Sequence, residues 1–114
     1  MLTIAIEAAM RAELEPFLQL GMGGEVNDML VNRPVYLQQA RYQDPNGHTI
    51  EVRYALMVCG VGKVRAASAT QALIDRYEPD LVLNVGTSGA LRPEIAIGDI
   101  VVTLAQHQHD SQLW

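Results

Sequence analysis

The sequence predicts an α/β fold, and two features of the apolar pattern lead to that prediction. The run Thr49–Val58 is followed by a helical spacing of apolar residues and then by a second apolar run, Leu81–Val85. A strand, a helix and a strand within so few residues are typical of a right-handed parallel βαβ unit. Residues 2–6 form a short β-prone run that leads into another helical pattern, which indicates a β-α unit at the start of the chain.

The first helix is expected to begin near Glu13 and to reach Leu20. Pro16 is tolerated in the first turn of a helix but would damage its interior, which is why regular helix is placed close to it. The glycine-rich residues 21–24 that follow are a breaker and end this helix.

A β-hairpin is predicted next. Residues 35–43 and Thr49–Val58 are rich in β-branched and aromatic side chains. Between them stands the segment Asp44-Pro45-Asn46-Gly47, whose residue types are those of a tight turn. The two runs are therefore expected to pair as antiparallel neighbours.

The second half of the chain predicts one long helix and two strands. The helix ends at Glu78-Pro79, and Leu81–Val85 then reads as a buried strand. Residues 100–105 are predicted to form a last strand. The residues that define the helical spacing are Val64, Ala67, Thr70, Gln71, Ile74 and Tyr77.

Composition limits the function classes that remain. The chain has 114 residues, 49% of them hydrophobic and 18% charged, which is ordinary for one globular domain over residues 1–114. A net charge of -5 without a basic helix face argues against a nucleic-acid partner. No apolar run approaches the roughly 20 residues of a membrane helix, and no secretory leader is expected. The single cysteine, Cys59, offers no disulfide framework, so a reducing cytoplasmic compartment fits best.

The sequence does not complete most of the familiar ligand-binding motifs. Gly62-Lys63 lacks the earlier glycine and the following hydroxyl of a phosphate loop. Gly60-Val61-Gly62 begins a dinucleotide fingerprint, but Arg65 replaces its third glycine, so a tight strand-to-helix turn is the simpler interpretation. His107 and His109 are two residues apart, a pattern too short to predict a metal site. Neither a metal nor a cofactor is predicted.

The most informative segment joins a strand end to small and hydroxyl-bearing residues. Asn84-Val85-Gly86-Thr87-Ser88-Gly89 runs out of the Leu81–Val85 strand, and strand ends of α/β sheets are where ligands bind. The first strand ends similarly, with Glu13 one helical turn beyond it. If the two strands are parallel neighbours, a carboxylate faces a hydroxyl loop. The alternatives are a plain turn and a helix N-terminal charge favoured by the macrodipole.

Four segments of the chain form a recognisable series. They are Ile4-Ala5-Ile6 with Ala9-Met10 and Glu13; Cys59 to Val64 with Ala66-Ala67; Pro79 to Gly89; and Gly98 to Val102 with His109-Asp110. In this order they resemble the purine nucleoside phosphorylase and nucleosidase superfamily, and within it the methylthioadenosine/S-adenosylhomocysteine nucleosidases. The resemblance covers nearly the whole chain and implies the N-terminal half of a three-layer α/β fold with a mixed central sheet.

The resemblance also implies roles for individual residues. Glu13 matches the carboxylate that orients and deprotonates the attacking water. Thr87 would lie near that water or the ribose hydroxyls, whereas Ser88 and Gly89 would line the base pocket. The apolar contacts around the sugar and its 5′ substituent would come from Ala9, Met10 and Val61.

Hydrolysis is favoured over phosphorolysis. Phosphorylases of this superfamily place a phosphate-binding Arg where this chain has Asn84, and the first loop, residues 7–11, lacks their Gly-x-Pro pattern. Arg11 remains a possible substitute. The expected partner is a small purine nucleoside, and the expected assembly is a homodimer. Because the purine-recognising glutamate and the general-acid aspartate belong to the second half of the family domain, the chain alone is expected to be inactive. A phosphorylase or a non-catalytic binding domain are the alternatives.

Overall fold

The computed structural model describes residues 1–20 and 28–108, and in these ranges five strands and two helices form an α/β architecture. The predicted breaker at residues 21–24 and the pair His109-Asp110 lie outside the described residues. The elements in chain order are β1 Leu2–Ala8, α1 Arg11–Leu20, β2 Asp28–Leu30, β3 Arg33–Gln43, β4 Thr49–Val58, α2 Lys63–Tyr77 and β5 Leu81–Val85.

The sheet is mixed, with the strand order β2-β3-β4-β1-β5. The central strand β1 is parallel to both of its neighbours, β4 and β5. On the other side, β3 is antiparallel to β4, and β2 is antiparallel to β3. The predicted α/β class, the mixed sheet and the parallel relation of β4 and β5 are confirmed, and β1 lies between those two strands.

The two helices cover opposite faces of the sheet, which makes three layers. Because successive side chains of a strand point to opposite faces, Ala5 packs with α2 and Ile6 packs with α1. On the α1 face, Leu14 and Leu18 bury against β1, β3 and β4. The core under α2 contains Ala5, Val35, Ala55, Met57, Cys59, Ala69, Leu73 and Tyr77.

The predicted hairpin is present as β3 and β4, and Asp44 holds its turn. The Oδ1 atom of Asp44 accepts hydrogen bonds from the backbone N–H groups of Asn46 and His48, at 2.9 and 2.8 Å. Gly47 adopts a φ of 83°, a conformation that costs glycine nothing. The turn chemistry read from the sequence therefore acts as expected.

A second hairpin, β2 with β3, was not predicted. Its two-residue turn consists of Val31 and Asn32, both with positive φ, at 44° and 61°. Two consecutive positive φ values match the twist of a hairpin. A β-branched residue rarely adopts this conformation, so Val31 gave no turn signal.

The first helix begins earlier than expected. Helix α1 starts at Arg11, so Pro16 is its sixth residue and lies inside it. Proline has no N–H to offer the carbonyl of Ala12. Both residues are exposed, which leaves that carbonyl accessible to water.

The buried face of α2 also differs from the predicted spacing. Ala69, Leu73 and Tyr77, four residues apart, face the sheet. Val64 and Ile74 were expected on the apolar face, but they are 83% and 41% exposed.

Two strand predictions need correction. Leu81–Val85 is a strand but is not buried, because within the described residues β5 pairs only with β1 and forms an edge. Residues 100–105 do not form a strand: Ile100 is 93% exposed, and this segment has no pairing partner in the described part of the chain. A β-prone run becomes a strand only where a neighbour supplies hydrogen bonds. Neither described helix is long and apolar enough to cross a membrane.

Candidate active site

Three parallel strands end at the same edge of the sheet, and each is followed by one of the predicted site segments. Strand β1 leads to Ala9-Met10, β4 leads to Gly60-Val61-Gly62, and β5 leads to residues 86–89. The backbone N–H of Cys59 donates to the carbonyl of Ala8 at 2.8 Å, so the first two segments are tied together. Topology therefore brings together segments that lie far apart in sequence.

Glu13 connects the ends of β1 and β5. Its Oε1 atom accepts a hydrogen bond from the backbone N–H of Met10, at 3.1 Å, and its Oε2 atom accepts one from the backbone N–H of Thr87, at 2.9 Å. The first contact is half of a capping box, in which the third helical residue reaches back to the cap. The second is independent of the helix and directs the carboxylate across the edge of the sheet.

Gly86 allows this approach. A Cβ atom on Gly86 would lie 2.9 Å from Glu13 Oε2, closer than real Cβ contacts. The glycine in the predicted segment thus leaves room for the carboxylate, and a side chain at this position would displace the flexible end of Glu13. Its φ is not positive, so backbone strain is not the reason for a glycine here.

The other predicted site residues lie around this edge and are open to solvent. Ala9 is half-buried, whereas Met10 is 49% and Val61 67% exposed. Val61 stands between Gly60 and Gly62, whose φ values are 90° and 110°, so the turn into α2 needs both glycines. Thr87, Ser88 and Gly89, which follow β5, are all exposed.

A second carboxylate at the same edge was not predicted. Glu7 is only 3% exposed, and its Oε1 atom accepts hydrogen bonds from Thr70 Oγ1 at 2.7 Å and Asn84 Nδ2 at 3.2 Å. Its Oε2 atom is buried and has no hydrogen-bond partner among the described residues. The signal that could have revealed Glu7 is its position between Ile6 and Ala8, inside an apolar strand rather than after it.

The remaining polar groups near the site are engaged or unreactive. Arg11 donates to Glu15 at 2.9 Å and to the hydroxyl of Tyr36 at 2.6 Å, so its guanidinium is turned away to α1 and β3. Burial raises the pKa of the Cys59 thiol, and the negative charge of Glu7 raises it further. A buried thiol with a raised pKa is a poor nucleophile.

No three potential metal ligands among His, Cys, Asp and Glu come together within residues 1–20 and 28–108.

A groove of about 560 Å³ lies away from this edge, on the α1 face, between β1, β3 and α1. Its lining is mostly apolar and includes none of the predicted site residues. Most of the predicted site residues around Glu13 are exposed.

The fold and the site together define a class: an α/β protein whose mixed sheet presents a glutamate among backbone amides at the carboxyl ends of its parallel strands. Residues 3–113 match the family model of the Phosphorylase superfamily. The chain belongs to that superfamily, as the sequence resemblance implied.

Individual relatives are similar over shorter stretches. A 5′-methylthioadenosine/S-adenosylhomocysteine nucleosidase from an Exiguobacterium strain is 35% identical over 71 residues, which are 62% of this chain and 30% of the relative. The nucleosidase of the same name from Tolumonas auensis is 47% identical over 51 residues, 45% of this chain and 22% of the relative. The matched stretches thus span less than a third of these relatives.

Solved structures resemble most of the chain. The S-adenosylhomocysteine nucleosidase of Streptococcus pyogenes, in complex with 5-methylthiotubericidin, has a TM-score of 0.69 and 26% identity, and the match covers 86% of this chain and 37% of that one. The nucleosidase of Colwellia psychrerythraea, in complex with adenine, has the same TM-score and identity, with 86% and 36% covered.

Proposed function

We propose that the full-length protein containing this chain hydrolyses the N-glycosidic bond of a purine nucleoside of the 5′-methylthioadenosine or S-adenosylhomocysteine type. The observation that carries the proposal is Glu13, held between the ends of β1 and β5 by two backbone N–H groups. The names of the similar proteins support the substrate class, and two of the similar structures hold a nucleoside analogue or adenine.

In this proposal Glu13 is the general base. A water oxygen bonds to the anomeric carbon of the sugar, and the glycosidic bond breaks with its electron pair leaving on the purine nitrogen. Glu13 takes a proton from the water, and the leaving purine receives one from a general acid or from solvent. The sugar passes through an oxocarbenium-like state, which needs a well-placed water more than a strong nucleophile.

The residues around Glu13 are proposed to bind the nucleoside. Thr87 lies where its backbone N–H already fixes the carboxylate, so its hydroxyl is available to the water or to the ribose. Ser88 and Gly89 are proposed to line the base pocket. Ala9, Met10 and Val61 are proposed to contact the sugar and the 5′ substituent, because their apolar side chains follow β1 and β4 at the same edge.

The open site suggests that other residues complete it. Met10 and Val61 are about half exposed or more, whereas small-molecule sites bury most of their ligand. We therefore propose that residues 1–114 form part of one nucleosidase domain and are inactive alone, and that the full-length protein is a cytoplasmic homodimer. Loss of one general acid typically lowers a rate by about 10²- to 10⁴-fold, which sets the expected deficit of the isolated chain.

The test is a product analysis with the full-length protein and methylthioadenosine, in phosphate-free buffer and with added phosphate. Release of adenine with the free sugar, at equal rates in both buffers, is expected. Turnover that requires phosphate and yields a sugar phosphate would identify a phosphorylase instead. Binding of the nucleoside without any adenine release would identify a non-catalytic domain.

A further inference from the structure

The buried carboxylate of Glu7 is the polar group that the proposed reaction leaves unused. Its Oε2 atom is shielded from solvent and has no hydrogen-bond partner among the described residues, although the rest of its side chain is held by Thr70 and Asn84. A buried carboxylate oxygen without a donor costs free energy. Such groups are characteristic of functional sites, where a local conflict serves the chemistry.

Glu7 lies under the same edge as Glu13. Its partner Asn84 is two residues before Gly86, the residue that Glu13 approaches so closely. Both carboxylates raise the pKa of the Cys59 thiol through their charges, whereas the charge of Arg33 lowers it. Both negative charges therefore act at Cys59, directly after the end of β4.

Resting on the proposed function, we propose that Glu7 is a specificity-determining residue that excludes phosphate and so leaves water as the acceptor of the sugar. The exclusion has two parts. The negative charge of Glu7 repels an anionic acceptor beside Glu13, because a buried charge is screened less than an exposed one. One N–H of the Asn84 amide is directed to Glu7, so that donor is not offered to a phosphate oxygen.

A phosphate ion is held in proteins by cationic groups and N–H donors, preferably bidentate arginines. Arg11, the arginine of α1, donates to Glu15 and Tyr36, whereas the guanidinium of Arg33 lies against Gly60 at this edge. Removing the charge of Glu7 while keeping its shape should therefore admit phosphate. At an effective dielectric of about 20, one buried charge several Å from a phosphate ion changes its affinity by about tenfold or more.

The experiment measures adenine release from methylthioadenosine by the full-length protein, without phosphate and with excess phosphate at matched ionic strength. The sugar product is identified by phosphorus NMR. For the wild-type protein, phosphate is expected to change neither the rate of adenine release nor the sugar product. Glu7→Gln is expected to bind it about tenfold or more tightly, seen as competitive inhibition or as a sugar phosphate. Thr70→Val is the matched control: it loses the hydroxyl contact but keeps the charge of Glu7, so it should still ignore phosphate.

Asn84→Arg provides a second arm that does not depend on folding of Glu7→Gln. With Glu7 in place, the introduced guanidinium is expected to pair with the free Oε2 atom, and phosphate should remain without effect. The double variant Glu7→Gln, Asn84→Arg should respond most strongly. Two results would overturn the role of Glu7. One is phosphate-dependent turnover by Asn84→Arg alone. The other is a folded Glu7→Gln variant whose phosphate affinity is within about twofold of the wild-type value.

The two levels of the proposal fail differently. A wild-type protein that releases no adenine in any buffer contradicts the proposed function itself. A wild-type protein that hydrolyses the nucleoside, together with a Glu7→Gln variant that ignores phosphate, contradicts only the role assigned to Glu7.

Discussion

Replacing Gly86 with Ala should move the Glu13 carboxylate without changing its chemistry. The added methyl carbon would lie 2.9 Å from Glu13 Oε2, so the end of that flexible side chain must retreat and the hydrogen bond from Thr87 N–H is lost. A hydrogen bond to a charged group contributes about 1.5–3 kcal/mol. If this contact holds the base in its reactive position, kcat should fall by roughly 10- to 150-fold.

Stability should change less than activity. The φ of Gly86 is not positive, so Ala fits the backbone. Because Ala lowers the conformational entropy of the unfolded chain, it stabilises the folded state by about 0.4–1 kcal/mol, which offsets part of the lost contact. Gly89→Ala is the control for thermal stability, because its methyl group meets nothing within 4 Å.

The assay is adenine release by the full-length protein in a double-mutant cycle. In a Glu13→Gln background the carboxylate is already absent, so Gly86→Ala should cost little further activity, and the two effects should be strongly non-additive. Equal losses from Gly86→Ala in both backgrounds would refute the reasoning, because the methyl group would then act on something other than the carboxylate.

Three further predictions concern the fold. Leu73→Ala should lower the free energy of unfolding, measured in urea titrations, by about 2–5 kcal/mol, because Leu73 lies fully buried between α2 and the sheet. Ile74→Ala, at a 41% exposed position, should lower it by less than about 1 kcal/mol. Similar losses from both variants would contradict the observed buried face of α2. Asp28→Asn should lower the Tm by about 2–4 °C at neutral pH. The hydrogen bond from Tyr77 is the main cause that holds the pKa of Asp28 below its usual 3.8. The stabilisation by the Asp28 carboxylate is therefore present above pH 3.8 and is lost as the pH falls through the lowered pKa. A Tm difference between wild type and Asp28→Asn that persists well below pH 3.8 would contradict this explanation. Val31→Asn should raise the free energy of unfolding by about 0.5–1 kcal/mol, because Asn tolerates the φ of 44° that Val31 adopts, and a loss of stability would show that packing of Val31 outweighs its strain.

Elements with strong local signals could be predicted from the sequence. The predicted bounds of β3, β4 and α2 lie within one or two residues of the observed ones. The signals that set them are the Asp44 turn, the glycines around Val61 and the helix end at Glu78-Pro79. These residues act through their own backbone preferences, which are independent of tertiary contacts. The parallel pairing of β1 with β5 was the condition for the expected site, and the structure meets it and brings Glu13 to Thr87.

The errors arise where structure depends on distant partners. Residues 100–105 have β-branched side chains, but strand formation needs a neighbour that the described chain does not supply. The β2–β3 turn places Val31 at a positive φ that β-branched residues rarely adopt, so the sequence gives little signal for it. A charge in an apolar run indicates a strand boundary unless hydrogen-bond partners offset the cost of burying it. The partners of Glu7, Thr70 and Asn84, are 63 and 77 residues away, so the sequence places Glu7 at the end of β1.

The central claim is that Glu13 activates water for cleavage of a purine N-glycosidic bond. The most direct measurement is kcat/KM for adenine release from methylthioadenosine by the full-length protein and its Glu13→Gln variant, with circular dichroism to verify that the variant folds. Removal of a general base is expected to lower kcat/KM by about 10²- to 10⁴-fold. A folded Glu13→Gln variant that keeps wild-type kcat/KM would contradict the role of Glu13 and leave it only as a cap of α1.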